Sequence, residues 1–262
     1  GTHRAGVGDS LRYTIASFLY AKGSYEYATR LPRFDEIFGG AFPVEANLEL
    51  KPEVSHNVNL ELDARSPERA YGVFHGNVNG FFRDVDNLIQ LIGTPYTQIY
   101  QNVYSARSRG VELVGDWTSA GSWLTLGGNA TYVDFRNTSR RGGYAEYRGD
   151  RIPNRPYLFA NGSAKLTLAD VVQARDELSL SWASRYMHGF YKGYESLGLQ
   201  STKLSVPAQV VHSLALIYAV RRAARAVTLA AEVQNLTDAR AFDFFGVPRP
   251  GRAFYFKATV SL

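Results

Sequence analysis

Residues 51–64 alternate between apolar and polar side chains almost without error, and this pattern constrains the fold more than any other feature. Val54, Val58, Leu60 and Leu62 point to one side, and the positions between them are polar or charged. A period of two is that of a β-strand with one apolar and one polar face. Strands of soluble sheets usually have about 5–6 residues, whereas a tilted strand that crosses a bilayer needs about 9–11. The length therefore favours a membrane-spanning strand.

The same two-faced pattern recurs along the chain and predicts about eleven strands. Charged and amide side chains stand repeatedly in mid-strand, which would be costly in a closed apolar core but is tolerated on a face that lines a watery lumen. The composition agrees, because 17 Tyr, 15 Phe and 24 Gly against 1 Met favour strands with tight bends over helix bundles. The predicted strands are 8–16, 19–30, 50–64, 70–84, 99–118, 123–136, 156–168, 177–188, 206–219, 226–236 and 251–262.

The connections between these strands alternate in length, as they do in outer-membrane barrels with short periplasmic turns and long extracellular loops. A periplasmic C-terminus puts every short link on the periplasmic side. Single-chain bacterial barrels have even strand counts, so about eleven strands indicate either a miscounted strand or part of a larger barrel. The short links fall near 17–18, 65–70, 119–122, 168–176 and 220–225, and the long ones near 31–49, 85–98, 137–155, 188–205 and 237–250.

Several classes of protein are disfavoured by what the sequence lacks. There is no cysteine, which excludes a disulfide framework, a Cys-based zinc site and a thiol nucleophile. The net charge is +5, but the only tight basic cluster, "RRAAR" at 221–225, is interpreted as a solvated turn rather than a nucleic-acid site. The first residues show no signal-peptide pattern, and no run of about 18 apolar residues could form a transmembrane helix. A barrel chain of this kind would begin after processing or in mid-sequence.

Five segments carry motifs that stand in a recognisable order. They are "KGSYEYATRLPRFDEIFG" (22–39), "NLELKPEVSHNVNLEL" (47–62), "NVYSARSRGVELVGDW" (102–117), "GDRIPNRPYLFANGSAKL" (149–166) and "AAEVQNLTDARAFDFFGVPRPGRAFYFKATVSL" (230–262). Together they resemble the C-terminal half of the TonB-dependent outer-membrane receptors. The resemblance implies an all-β fold, a transmembrane antiparallel β-barrel of 22 strands, of which residues 1–262 hold about eleven. The plug domain of that family is not in this chain.

The resemblance also implies a function, which is energy-coupled uptake of a scarce solute across the outer membrane of a Gram-negative cell. A ferric siderophore is the expected cargo, and a carbohydrate, cobalamin or a peptide remain open. The implied partners are the lipid bilayer, the TonB complex acting through the absent plug, the barrel-assembly machinery and a small-molecule cargo. No enzyme activity, cofactor, metal site or nucleic-acid partner is expected. A passive porin, or a scaffold or adhesion barrel, is the alternative.

The C-terminal segment is expected to be the barrel-assembly signal, although it ends in Leu rather than in the family's common Phe or Trp. Just before it, Asn235 and Asp238 are expected to cap the turn into the last loop, because Asn and Asp bond readily to nearby backbone. The residues expected to form the assembly signal are Phe254, Phe256, Val260 and Leu262.

Two aromatic segments, 88–101 and 187–203, are candidates for cargo binding on the extracellular loops. The second interpretation is that these aromatic residues pack within the loops and form the girdle at the membrane interface, which barrels carry whether or not they bind a ligand. The candidate ligand-binding residues are Tyr96, Tyr100, Phe190, Tyr191 and Tyr194.

Gly110 and Glu112 stand in a family-typical strand motif, for which a structural role is favoured. Gly110 is expected either at a bend or at a close approach. Glu112 is expected to pair with a lumen arginine such as Arg30 or Arg83.

The five histidines do not have the spacing of a metal site. Residues 31–48 contain no histidine, which disfavours haem as cargo by analogy with the family. A barrel hydrolase would need a clustered Ser/His or Asp/His group, and His188 is the candidate for that alternative. His56 and His212 are expected on the lipid face. The histidines are His3, His56, His75, His188 and His212.

Overall fold

A computed structural model describes residues 6–40, 44–93, 98–222 and 225–261. Within them the chain is dominated by one antiparallel sheet, in which eleven long strands lie side by side in sequence order. The strands are β1 (Val7–Ala16), β2 (Leu19–Arg30), β3 (Glu53–Arg65), β4 (Val73–Gly93), β5 (Gln98–Thr118), β6 (Leu124–Asn137), β7 (Leu158–Ala169), β8 (Asp176–Met187), β9 (Gln209–Arg222), β10 (Arg225–Gln234) and β11 (Ala253–Ser261). The predicted all-β fold is therefore confirmed.

The sheet is open, because β1 pairs only with β2 and β11 only with β10 in the part of the chain that the structure describes. An open sheet of eleven neighbouring strands in this order is a partial barrel. The unpaired edges leave backbone donors and acceptors free to join further strands, as a barrel needs for closure.

The long connections contain short elements of their own. Helix α1 (Phe34–Phe38) and a two-residue strand, Val44–Glu45, lie between β2 and β3, and the short strand pairs in parallel with the start of β5. Two further hairpins join Phe190–Tyr191 to Ser205–Val206, and Phe242–Phe244 to Val247–Pro248. Among the described residues, three short 3-10 turns are found, the first in a short link and the other two in long connections: Ala120–Ser122, Ala145–Tyr147 and Gln200–Thr202. No helix among the described residues is long and apolar enough to span a membrane.

The register places apolar residues beside apolar residues across the whole sheet. Leu62 lies opposite Val78, Val78 opposite Leu113, and Leu113 opposite Ala130. We call the side that carries these residues the apolar face, and the other side, which carries Asn77 and Glu112, the polar face. No second layer of the described chain covers the apolar face, so Phe256 is 81% exposed. Such a large exposed apolar surface is typical of a contact with lipid or protein rather than with water.

One predicted connection was wrong in its extent. Residues 85–93 are not loop, because β4 continues to Gly93, and β5 begins at Gln98. The two strands project beyond their neighbours as a ribbon, and their register shifts near Asn87, which has a φ of 57°. Backbone pairing continues there although the apolar alternation has ended, so the alternation could not show where the strands end.

The short links confirm the predicted arrangement, since the connections after β1, β3, β5, β7 and β9 lie at one end of the sheet. We call this the short-link end and the opposite one the long-loop end. Two buried clusters stand at the long-loop end, one around Ala106, Ile152 and Tyr194, the other around Met187, Phe190 and Val206. The core of this chain therefore lies in its loops rather than behind the sheet.

Candidate functional site

Aromatic side chains mark both borders of the apolar face. At the long-loop end the ring centroids of Tyr132 and Tyr157 are 6.4 Å apart, and those of Tyr157 and His188 are 5.3 Å apart. At the short-link end the ring centroids of Phe74 and Trp117 are 6.0 Å apart. Tyr and Trp favour such borders because one end of each side chain is apolar and the other is polar. We call the part of the apolar face between these two rows the apolar band.

The structure distributes the candidate cargo residues over different environments. Phe190 and Tyr194 are only 5% and 6% exposed, and both pack inside the loops. The Tyr194 ring stacks on Tyr147 with a centroid distance of 4.4 Å. Tyr191 is 38% exposed, and its ring faces the Lys203 ammonium at 5.3 Å. For Phe190 and Tyr194 this geometry supports the loop-packing interpretation.

Two candidates belong to the ribbon of β4 and β5. Tyr100 is half-buried, and its carbonyl accepts a hydrogen bond of 2.7 Å from the Asn47 side chain. Tyr96 lies outside the described residues. Cargo contact by any of the five aromatic candidates stays a prediction.

A cavity of about 370 Å³ opens on the polar face at the long-loop end. Its walls include the apolar side chains Val85 and Phe135 and three arginines, Arg83, Arg151 and Arg155. No carboxylate is among the described residues that line it. We call it the lumen cavity.

The arginines of the lumen cavity differ in how far their charge is compensated. Arg151 is engaged, with Nε 3.3 Å from Asp134 and Nη1 3.2 Å from Glu195. The Arg155 guanidinium instead lies 5.3 Å from the Phe135 ring centroid. Desolvation by the surrounding protein lowers the pKa of Arg155, although the side chain is open to the lumen. A guanidinium stays charged at physiological pH, so the cavity presents uncompensated positive charge.

A network of ion pairs fastens the loop between β2 and β3 to the sheet. Arg30 donates to both oxygens of Glu53, at 2.7 and 2.8 Å, and to both oxygens of Glu36. Glu53 also accepts a hydrogen bond from the Ile89 amide at 2.7 Å, and this bond joins the network to the ribbon of β4 and β5. Burial by itself would raise the pKa of Glu36, but the Arg33 amide and the Arg30 guanidinium hold it below its ordinary value. The network fixes the loop over the polar face.

Gly110 occupies the close approach that was predicted. A Cβ at this position would stand 2.2 Å from the Tyr132 carbonyl oxygen and 2.5 Å from the Phe81 ring. The predicted partner of Glu112 was wrong, because Glu112 accepts a hydrogen bond from Asn79 at 3.1 Å rather than pairing with Arg30 or Arg83. Arg30 is already saturated by two other carboxylates at the end of its strand, several residue pairs away.

The turn before the last strand has the predicted caps. Asn235, with a φ of 50°, accepts the Ala239 amide and donates to the Ala239 carbonyl, both at 2.8 Å. The Asp238 carboxylate accepts the Arg252 amide at 2.8 Å. These bonds fix the start of β11, whose apolar face carries Phe254, Phe256 and Val260. Leu262 lies outside the described residues, and the assembly role of this strand stays a prediction.

The histidines do not converge. Among the described residues, no group of three or more His, Asp or Glu side chains is placed to hold a metal ion. His188 Nδ1 lies 2.7 Å from the Tyr186 hydroxyl, which places it in the aromatic row of the long-loop end. His56 and His212 lie on the apolar face as predicted, beside Tyr25 and Trp182 respectively.

The lumen cavity was not predicted from the sequence. Its residues come from β4, β5, β6 and the segment 151–157, and they meet only because the ladder sets these strands side by side. The segment "RIPNRPY" (151–157) did offer a signal, since it places two arginines beside prolines where a strand begins.

Solved structures share this fold. The copper transporter OprC matches with a TM-score of 0.73 at 20% identity, over 96% of this chain and 37% of that chain. A ferric enterobactin receptor mutant of Pseudomonas aeruginosa matches with 0.70 at 18% identity, over 98% and 40%. BauA, the ferric preacinetobactin receptor of Acinetobacter baumannii, matches with 0.64 at 16% identity, over 97% and 35%. The chain thus spans less than half the length of these neighbours.

No curated protein matched the chain. Residues 2–236 match the family described as "TonB dependent receptor-like, beta-barrel", which covers most of the 262 residues. The structural neighbours named above are receptors and transporters, not enzymes. The order of motifs, the two-faced sheet and this match agree, and the chain therefore belongs to the TonB-dependent receptor β-barrel family.

Proposed function

We propose that this chain is the C-terminal part of the barrel of an outer-membrane receptor that imports a ferric siderophore by TonB-dependent transport. The family match and the partial coverage of longer neighbours support the assignment to one part of a larger barrel. The apolar band between two aromatic rows supports a position in the outer membrane. A plug N-terminal to this chain would couple the receptor to the TonB complex, and β11 would engage the barrel-assembly machinery.

The lumen cavity is the observation that favours this cargo. Arg83 and Arg155 offer charge with no carboxylate among the described lining residues, and Val85 and Phe135 supply apolar walls. This combination suits an anionic ligand with flat apolar parts, such as an iron complex of catecholates. It suits a bare cation poorly, and the described residues hold no cluster of His, Asp or Glu that would bind copper. Uncharged cargo would leave the two guanidiniums uncompensated.

The cargo assignment is tested with the intact receptor carrying Arg83→Gln and Arg155→Gln together. A charge-assisted hydrogen bond contributes about 1.5–3 kcal/mol, so loss of one such bond weakens binding by roughly 10- to 100-fold. We expect at least that loss for an anionic ferric siderophore in equilibrium binding. The matched control is Arg69→Gln, an exposed arginine in the link between β3 and β4. Equal affinity of the double variant and the control would contradict the cargo assignment.

Energy coupling is tested by uptake of the radiolabelled iron complex into whole cells. We expect uptake to stop when the TonB complex is deleted or the proton gradient is collapsed, whereas cargo binding persists. Uptake that continues without energy, in proportion to the external concentration, would instead indicate a passive porin.

A further inference from the structure

A second cavity, of about 640 Å³, opens at the long-loop end, and its lining residues come from β4, β5 and the loop after β6. Four of its lining residues are arginines and two are aspartates, which gives these six side chains a formal charge of four minus two, or +2. We call it the arginine cavity. Its charged lining residues are Arg107, Arg140, Arg141, Arg148, Asp84 and Asp86.

The carboxylates of this cavity are already engaged. Asp84 accepts hydrogen bonds of 3.2 Å from Nε and Nη2 of Arg107. Asp86 accepts a hydrogen bond of 2.6 Å from the Ser105 hydroxyl. The three remaining arginines, at positions 140, 141 and 148, are exposed and form no ion pair with a described residue. Their guanidinium donors are therefore available to an anion from outside.

The height of the cavity above the apolar band is set by the register. Phe82 and Tyr132 are the last apolar residues of β4 and β6 on the apolar face. The next residues of these strands on the same face, toward the long-loop end, are Asp84 and Asp134. Arg107 bridges this border, since its guanidinium carbon lies 5.4 Å from the Phe82 ring centroid. The cavity thus stands immediately beyond the hydrocarbon layer, at the level of lipid headgroups.

We propose that the arginine cavity binds a phosphate group of lipopolysaccharide from the surrounding outer leaflet. The inference rests on the outer-membrane position given under the proposed function. Lipopolysaccharide forms that leaflet, and its headgroup carries phosphates directly above the acyl chains. Guanidinium forks match phosphate oxygens in geometry, and basic residues near an anionic membrane surface gain favourable electrostatic energy. The occupant is a lipid held from the membrane side, and it is distinct from cargo, which enters from the lumen side.

The experiment compares two triple variants of the intact receptor, each lacking three exposed arginines. One carries Arg140→Gln, Arg141→Gln and Arg148→Gln, and the control carries Arg65→Gln, Arg69→Gln and Arg175→Gln at the short-link end. Both are delipidated, checked for folding by heat-modifiable gel mobility, and titrated with purified lipopolysaccharide, with native mass spectrometry as the readout. We expect the cavity variant to bind on the order of 100-fold more weakly than the control.

Two further probes distinguish the source of the phosphate. Enzymatically dephosphorylated lipopolysaccharide should bind the wild type as weakly as intact lipopolysaccharide binds the cavity variant. Inorganic phosphate should compete only at concentrations far above those of the lipid. Equal binding by the two triple variants, or by phosphorylated and dephosphorylated lipid, would overturn the proposal. Competition by inorganic phosphate at the lipid's own concentration would overturn it in favour of a site for soluble anions. Cargo uptake by the cavity variant should be unchanged, so failure here is separable from failure of the transport proposal.

Discussion

Gly110 offers the sharpest test of how β5 and β6 pack. The substitution is Gly110→Ala, which places a methyl group 2.2 Å from the Tyr132 carbonyl oxygen and 2.5 Å from the Phe81 ring. A Cβ atom essentially never comes within 3.0 Å of a heavy atom of a residue other than its own and its two chain neighbours. The ring can rotate away, but the carbonyl belongs to the backbone of the neighbouring strand. The two strands must therefore separate by roughly 0.8 Å at this point, the difference between these two distances.

The energetic cost follows from two contributions. Overpacking of a well-packed site costs about 1–3 kcal/mol, and each lengthened ladder hydrogen bond costs up to about 0.5–1.5 kcal/mol. We expect Gly110→Ala to lower the free energy of unfolding by about 2–4 kcal/mol. The assay is urea unfolding of the intact receptor in lipid vesicles, followed by the change in gel mobility between folded and unfolded protein.

Gly115→Ala is the matched control, because it adds the same methyl to the same strand with nothing within 4 Å of the new Cβ. We expect its stability to equal or slightly exceed that of the wild type, since Ala replaces the more flexible Gly. Gly110→Ala combined with Phe81→Ala should recover only part of the loss, because the clash with the Tyr132 carbonyl remains. If Gly110→Ala is as stable as Gly115→Ala, the close approach of these strands is refuted.

Three further perturbations test the loop anchors. Glu53→Gln removes the carboxylate charge that Arg30 binds at 2.7 Å. We expect amide hydrogen exchange in the ribbon of β4 and β5 to become faster by a factor of ten or more. Unchanged exchange would show that this ion pair does not anchor the ribbon. The pKa of Glu36 is lowered in the folded state, so its stabilising contribution is complete above the ordinary value of 4.5 and is lost as the pH falls through the lowered one. Hydrogen exchange of the loop after β2, corrected for intrinsic rates, should accelerate below that pH, and should not do so in Glu36→Gln. Asn235→Ala removes both hydrogen bonds to Ala239 and should lower the free energy of unfolding by about 1–3 kcal/mol, as measured by urea unfolding. Asn235→Asp should lose less stability, because its carboxylate can still accept the Ala239 amide.

The strand pattern was predictable because a β-strand in a membrane barrel has a different solvent on each side. Residues 19–30 were predicted as a strand and form β2 with the same bounds. Residues 85–93 were predicted as loop and are strand, because that part of the ribbon lies beyond the apolar face and has no need of alternation. Alternation therefore reports where a strand has an apolar face and not where its hydrogen bonds end.

The candidate site was less predictable from the sequence than the strands of the sheet. Phe190 and Tyr194 were selected as aromatic loop residues, and the tertiary structure buries both within the loops. Arg83 and Arg155, 72 positions apart in the chain, were not selected as cargo-binding residues, although they share one cavity. Composition identifies residue types in a loop, but burial depends on which other loop folds against it.

The sequence alone determined the class of fold, the number of strands and the two faces of the sheet, because each depends on a local period of two. It also determined the family, because ordered motifs are a property of the chain. Only the tertiary structure decided that Glu112 accepts a hydrogen bond from Asn79 rather than from an arginine. It also decided that arginine side chains line separate cavities on the two faces of the sheet. The physical reason is that charge compensation depends on register and loop packing, which join residues distant in sequence.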